Sequence, residues 1–334
     1  MVIAVDAMGG DFAPQVVVEG ALRSAELVPD EIVLVGRSDQ IERHLAASAR
    51  RPKNLRVVAA DDVIAMGADP TRGALRRRDT SMAVAVDLVR CGEAQAVVSA
   101  GNSGALLTLA HTRLGTIEGV RRPGIAAPTV TVNGGGVLID AGANVDCQPV
   151  HLAQFGLMGS IYAEYALGID RPRVGLLSIG SESSKGNNLT RAAFDLLAQM
   201  PINFVGNVEA QGMFNGEADV AVADGFVGNV ALKTVEAMAQ FVMEELRRSL
   251  RSSLRAKLGA LLLRSGLHEL RNRYDYATYG GALLLGVRGI TVVGHGRSDA
   301  RAITNAILVA HRAVEGGVVA HLQETCAALV GSLG

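Results

Sequence analysis

Short apolar runs alternate with longer segments of helical period along almost the whole chain. Residues 2–5 form an apolar run that predicts a buried strand, and residues 14–27 carry the spacing of an amphipathic helix. The alternation continues with a strand at 32–35, a helix at 38–47 and a strand at 55–59. Further apolar runs at 96–99, 137–139, 174–179, 202–205 and 220–222 read as strands, and most precede a glycine and then a helical pattern. Strands with no polar face need cover on both sides. The pattern therefore predicts an α/β protein, a mostly parallel sheet sandwiched between helices. No fixed-period repeat or low-complexity linker divides the chain. Residues 1–334 are expected to form a single α/β unit, with two lobes sharing one sheet as the variant.

One stretch breaks the rhythm. Residues 247–273 hold eight Lys or Arg and one acid, Glu269, a charge of +7 within a total of −1. On one continuous helix, Leu250, Leu254, Leu258, Leu261 and Leu262 would share an arc, with Arg251 intruding and Leu263 and Leu267 outside it. Gly259 and Gly266 could instead divide the segment into a helical hairpin with Leu261, Leu262 and Leu263 at its tip. A basic helix bearing leucines suits an anionic membrane surface. A helix pair docked on the core or on a second subunit would look the same.

Composition narrows the classes. Hydrophobic residues make up 49% and charged ones 19%, which provides for a core and excludes disorder. Aromatics reach only 4% with no Trp, so stacking on single-stranded nucleic acid has no support and no nucleic-acid partner is expected. Cys91, Cys147 and Cys326 form no CxxC pair, which points to reduced thiols in a cytoplasmic protein. The first residues lack the cationic start and apolar core of a signal peptide, and no apolar run reaches membrane-spanning length.

The 39 glycines are in excess, and many follow strands. Asp6-Ala7-Met8-Gly9-Gly10-Asp11 follows the first strand; Ala100-Gly101-Asn102-Ser103-Gly104 follows the run at 96–99. Asp224-Gly225-Phe226-Val227-Gly228-Asn229 follows 220–222, and a fourth such loop, at 180–188, carries Lys185. Strand, small-residue turn and helix N-terminus together make an anion site, because backbone N–H groups and the helix dipole converge there. Ser103, Asn102 and Asn229 could add donors and Lys185 a compensating charge. Any one such loop is also explained by turn chemistry alone. Four after strands of one sheet point to a phosphate-handling cleft.

Familiar nucleotide and hydrolase signatures are missing: GxGxxG after the first strand, GxxxxGK[ST], HExxH and GxSxG are all absent. The carboxylates of Asp140-Ala141-Gly142-Ala143-Asn144-Val145-Asp146 could orient a substrate or bind a metal; Asp146 is read as the cap of the next helix. His295 follows the strand at 290–293 and is either a proton donor or an idle loop residue. Arg76, Arg77 and Arg78 are either a basic rim or a solvated run.

The chain resembles the phosphate acyltransferase family of bacterial phospholipid synthesis (PlsX). The resemblance rests on the 5–11, 99–105 and 140–146 blocks, on Lys185-Gly186, on Asp224 to Asn229, on Tyr279-Gly280-Gly281-Ala282 and on His295-Gly296. These occur in family order over nearly the whole chain. Met66-Gly67-Ala68-Asp69-Pro70 and the three arginines depart from the usual pattern, which bears on a partner-facing rim more than on the reaction.

The resemblance implies a three-layer α/β/α sandwich like that of isocitrate and isopropylmalate dehydrogenases and phosphotransacetylases. It implies a cytoplasmic, peripherally membrane-associated homodimer with no cofactor. Its reaction would pass a long acyl chain from acyl carrier protein to inorganic phosphate, the acyl phosphate then serving a membrane glycerol-3-phosphate acyltransferase. On that reading Lys185, Asn229, Asp224 and His295 are catalytic, and Asp6, Gly9, Gly10, Asp11, Gly101, Asn102, Ser103, Gly104 and Gly228 bind substrate or phosphate. Leu258, Leu261, Leu262 and Leu263 meet the membrane, and no metal is required. The rivals are a short-chain phosphate acyltransferase using coenzyme A, a nicotinamide-dependent decarboxylating dehydrogenase, and a non-catalytic carrier-protein and membrane scaffold.

Overall fold

In the computed structural model the described residues are 1–48, 51–70, 79–132, 134–251, 253–266 and 276–332. Eleven strands form one sheet: β1 (Val2–Asp6), β2 (Glu31–Gly36), β3 (Leu55–Ala59), β4 (Ala96–Ser99), β5 (Gly124–Thr131), β6 (Gly134–Ile139), β7 (Arg173–Leu177), β8 (Asn203–Val208), β9 (Val220–Val222), β10 (Ala282–Leu285) and β11 (Ile290–Val293). Their order is β3-β2-β1-β4-β11-β10-β5-β6-β9-β7-β8. The expected apolar runs all became strands, with ends shifted by up to three residues at either end.

The helices are α1 (Gln15–Leu27), α2 (Ser38–Ala46), α3 (Ser81–Arg90), α4 (Ser103–Leu109, continuing as one π-helical turn over Ala110–Leu114), α5 (Pro149–Tyr165) and α6 (Asn188–Leu197). After them come α7 (Ala210–Asn215), α8 (Gly225–Arg251), α9 (Leu254–Leu262), α10 (Ala300–Glu315) and α11 (Val318–Ser332).

Alternation of side chains across the pleat sorts the core into faces. Ile3, Val5, Leu34, Val98, Ile139, Val222 and Leu283 turn to one face and share a single apolar cluster with α1, α5 and α10, continuous across the sheet. On the other face the core is split. Ala4, Val33, Val97 and Leu284 pack under α3 and α4. Leu138, Ala221 and Ala223 pack with Met213 of α7 in a separate small cluster. Between these two clusters, among the described residues, the helical layer on this face is interrupted.

The strand directions explain where the loops go. β1, β2, β3, β4 and β11 run parallel, and β6, β7, β8 and β9 run parallel to one another. The ladders β11–β10, β10–β5 and β5–β6 are all antiparallel. Three reversals invert the second half, so the glycine loops after β1, β4 and β11 lie at one end of the strands and those after β6, β7 and β9 at the opposite end.

Two local expectations are corrected. Asp146 is exposed and caps nothing in α5; the helix begins at Pro149, capped by Gln148, whose N–H donates to His151 Nδ1 at 3.1 Å. The basic segment is not broken at Gly259, which lies inside α9. The break comes between Arg251 and Leu254, where Ser253 Oγ accepts the Ala256 N–H at 3.1 Å, because a serine cap satisfies the orphan donors of the new helix. Leu250 therefore shares no helix with Leu261. Leu261, Leu262 and Leu263 are exposed at the end of α9. Leu267 and Arg76 to Arg78 lie outside the described residues. Among the described residues no helix is long and apolar enough to cross a membrane.

Candidate active site

A cavity of about 410 Å³ opens where the helical layer is interrupted. It lies along β5 from Ile125 to Val130, between α4 on one side and α7 and α8 on the other. Because β5 runs the length of the gap, the cavity connects loops at both ends of the strands. Ser103 and Gly104 reach it from the β4 loop, His295 and Gly294 from the β11 loop, and Ala141, Gly142 and Asn229 from the opposite end.

Around β1 and β4 the hydrogen bonds hold the loops rather than a ligand. Asp6 is buried; its Oδ2 accepts the Ser99 hydroxyl at 2.7 Å, and Ser99 Oγ in turn accepts the Gly101 N–H at 3.1 Å. Burial pushes the Asp6 carboxyl above its usual range, against the Ser99 hydrogen bond and the Met8 N–H. The N–H of Asp11 donates to Gly296 O at 2.8 Å, tying the β1 loop to the His295 loop. Asn102 caps α4 through the Ala105 N–H and donates to Met66 O and Ala68 O, each at 3.0 Å. Asp6, Gly9, Gly10, Asp11, Gly101 and Asn102 thus gather behind the cavity and do not line it; Ser103 and Gly104 do.

At the opposite end Asp140 is fully buried, and its two oxygens accept from the N–H groups of Ile125, Gly142, Ala143 and Asn144 and from the Asn144 side chain, at 2.8 to 3.1 Å. That carboxylate shapes the β6 loop and has no ligating edge left for a metal. The start of α8 closes on this loop. A Cβ at Gly228 would overlap the Asp140 carbonyl oxygen, which is why glycine stands there. Gly142 has φ 137, and a Cβ there would meet Asn229 Nδ2 at 2.8 Å.

Three N–H groups at the start of α8 bond within the protein. Asn144 O accepts the Gly225 N–H, and Asp224 accepts from Val227 through Oδ1 and from Gly228 through its carbonyl, each at 2.8 Å. At the expected anion site of that helix end, these three donors are thus met by the protein's own acceptors. Asp224 acts as the helix cap. Asn229 lines the cavity and donates to Ala141 O at 3.1 Å.

Lys185 is exposed on the loop after β7, its N–H bonded to Glu182 O, and does not line the cavity. Among the described residues the cation that does is Lys233, ion-paired with Glu236 at 2.7 Å. Asn229, Lys233 and Glu236 are spaced i, i+4, i+7 along α8 and so share the face turned to the cavity. That polar stripe was present in the sequence as a helical period, but it is hidden among the apolar residues of a long helix. Tyr279, Gly280 and Gly281 also line the cavity, from the turn before β10.

His295 Nδ1 accepts the Arg297 N–H at 3.1 Å, which leaves the proton of the neutral ring on Nε2. Burial, with the nearby charge of Lys233, holds the His295 pKa below its ordinary 6.5. At neutral pH it is therefore a hydrogen-bond donor and not a cation. Burial likewise pushes the Cys147 thiol, bonded to Asn144 O, up to about 11, so it stays protonated and is no nucleophile.

The family model described as "Fatty acid synthesis protein" matches residues 1–321. The Phosphate acyltransferase of Desulfitobacterium hafniense (strain Y51) is 46% identical over 325 residues, 97% of each chain. Among solved structures, a phosphotransacetylase from Streptococcus pyogenes superposes with TM-score 0.66 at 14% identity, covering 96% of this chain and 94% of that one. A 4-hydroxythreonine-4-phosphate dehydrogenase from Klebsiella pneumoniae gives 0.53 at 15% identity, covering 94% and 99%. These two share the α/β sandwich. From the family match and the identity to a curated relative, the chain belongs to the fatty acid synthesis protein family and is an acyltransferase of the phosphate acyltransferase kind.

Proposed function

We propose that this chain transfers a long acyl group from the thioester of acyl carrier protein to inorganic phosphate, giving an acyl phosphate that a membrane glycerol-3-phosphate acyltransferase consumes. The observation that carries the reading is one cavity whose walls bear Ser103, Asn229, Lys233, Glu236 and His295 within a largely apolar lining. Phosphate is an anionic nucleophile at neutral pH and needs no covalent relay. Its oxygen attacks the thioester carbonyl carbon, the C–O bond forms, and the tetrahedral oxyanion collapses by breaking the C–S bond. The thiolate leaves and takes a proton from solvent. Lys233 and Asn229 hold the phosphate, and His295 Nε2–H donates to the developing oxyanion. Such positioning and charge stabilisation are what this reaction requires. Asp6 and Asp224 act at one remove, holding the loops that present these groups, and Lys185 receives the incoming anion at the strand ends.

The long-chain, membrane-facing version is favoured over a short-chain coenzyme A enzyme by Leu261, Leu262 and Leu263, 65%, 78% and 60% exposed beside Arg255, Lys257 and Arg264. Flotation with anionic vesicles should lose the protein when these leucines become glutamates; equal flotation would return α9 to a subunit-facing role. A homodimer fits α8, which exposes Phe226, Val230, Met238, Phe241 and Val242 along its length. Incubation of the protein with acyl carrier protein thioester and phosphate, with acyl phosphate trapped by hydroxylamine, tests the reaction. A product that does not depend on phosphate would refute it.

A further inference from the structure

The cavity is not equally deep in all directions. His295 stands at the carboxyl end of β11, and on the far side of β5 the lining passes to Leu138 of β6 and to Met213 and Phe214 of α7. Strands in a sheet lie about 4.8 Å apart, so β11 and β6, three ladders apart, are separated by roughly 14 Å of sheet face. The floor between them contains Ala127 and Pro128, which present no charge. Ala231, half-buried on α8, faces the same limb.

The far wall is held by backbone. The Val132 N–H donates to Phe214 O at 2.9 Å, which pins the end of α7 to the chain leaving β5. α7 then stops at Gly216, in the left-handed region at φ 74. Met213 is buried in the small cluster with Leu138 and Ala221, and Phe214 packs against that cluster. A wall fixed by main-chain bonds and core packing retreats little when a ligand presses on it.

We propose that Phe214 and Met213 form the end wall that sets the acyl chain length, the chain lying along β5 and β6 with its thioester at His295. This rests on the acyl-transfer reading above and names the specificity determinant of the same site. Each methylene taken from water into an apolar site adds a fixed increment of binding. Two methylenes that no longer fit should therefore cost roughly tenfold in relative kcat/KM.

The test compares saturated acyl carrier protein thioesters of graded length, with phosphate-dependent acyl phosphate as the readout. Phe214→Ala should move the optimum to longer chains, by roughly tenfold for each two methylenes beyond the wild-type limit. Ala231→Leu, at a half-buried helical position where the added bulk points into the limb, should move it to shorter chains. If Phe214→Ala fails to fold, Ala231→Leu still decides. An unchanged ranking of chain lengths in a folded, active Ala231→Leu variant would overturn the end-wall proposal and leave acyl transfer standing. Absence of acyl phosphate from every chain length in the wild-type protein would instead remove the reading on which it rests, and the proposal with it.

Discussion

The side-chain amide of Asn229 donates to the carbonyl oxygen of Ala141 at 3.1 Å, joining residues 88 positions apart. This bond ties the second turn of α8 to the loop after β6 and orients the amide at the wall of the cavity. The strand register makes it possible, since β6 and β9 are neighbours whose carboxyl ends coincide at Ile139 and Val222.

Asn229→Ala should lower kcat for acyl phosphate formation by about a hundredfold, the loss seen when a positioned donor to a developing charge is removed. Asn229→Asp should do no better, because a carboxylate repels phosphate. Steady-state kinetics checks both, and circular dichroism unchanged from the wild type would confirm that the fold is kept.

Gly228 is where α8 comes closest to the β6 loop, and any Cβ there overlaps the Asp140 carbonyl. Gly228→Ala should destabilise the protein by about 1–3 kcal/mol, the usual range for overpacking. Thermal unfolding reads this directly. An unchanged midpoint would show that α8 can move off the loop without cost.

In the proposed mechanism His295 acts in its neutral form, and burial beside Lys233 depresses its pKa below 6.5. The sign follows. The folded protein resists protonating this ring, so the contribution of the neutral ring to activity is lost only as pH drops through the folded value, which lies below 6.5. Over the same window the unfolded chain binds the proton more readily, so stability also falls with pH. His295→Gln, which keeps a donor, should remove the ring's acidic limb from the kcat/KM profile and leave only that of phosphate itself.

The two lysines separate by kinetics. Lys233 lines the cavity and Lys185 does not. Lys233→Ala should lower kcat by about a hundredfold or more, whereas Lys185→Ala should mainly raise KM for phosphate. Equal effects on kcat would place both at the reacting atoms.

Much of the fold was legible because parallel strands covered on both faces read as uninterrupted apolar runs, and β4, β9 and β11 fall where the runs do. The antiparallel pair β5 and β10 was not. β5 carries Pro128 and alternates buried with half-buried positions, as a strand does when a cavity faces one side. Missing that pair conceals the reversal of the second half of the sheet, and with it the fact that the glycine loops lie at two ends and not one. Asn229, Ser103 and His295 were legible as loop residues after strands. Lys233 and Glu236 were not, because a side chain in the third and fourth turns of a helix joins a site only when its face borders an open cavity, here the one along β5. Asp140, Asp224 and Gly228 were visible as motif residues, but only the hydrogen bonds show that they shape the site from behind.

The most direct test of the central claim is single-turnover formation of acyl phosphate from acyl carrier protein thioester, trapped with hydroxylamine, with and without phosphate, in the wild-type protein and with Ala127 on the cavity floor replaced by Phe. Trapped product that requires phosphate in the wild type, and is lost when the floor is filled while the protein stays folded, is the predicted result. Undiminished phosphate-dependent product in folded Ala127→Phe would contradict it and move the reaction out of the space between α4 and α8.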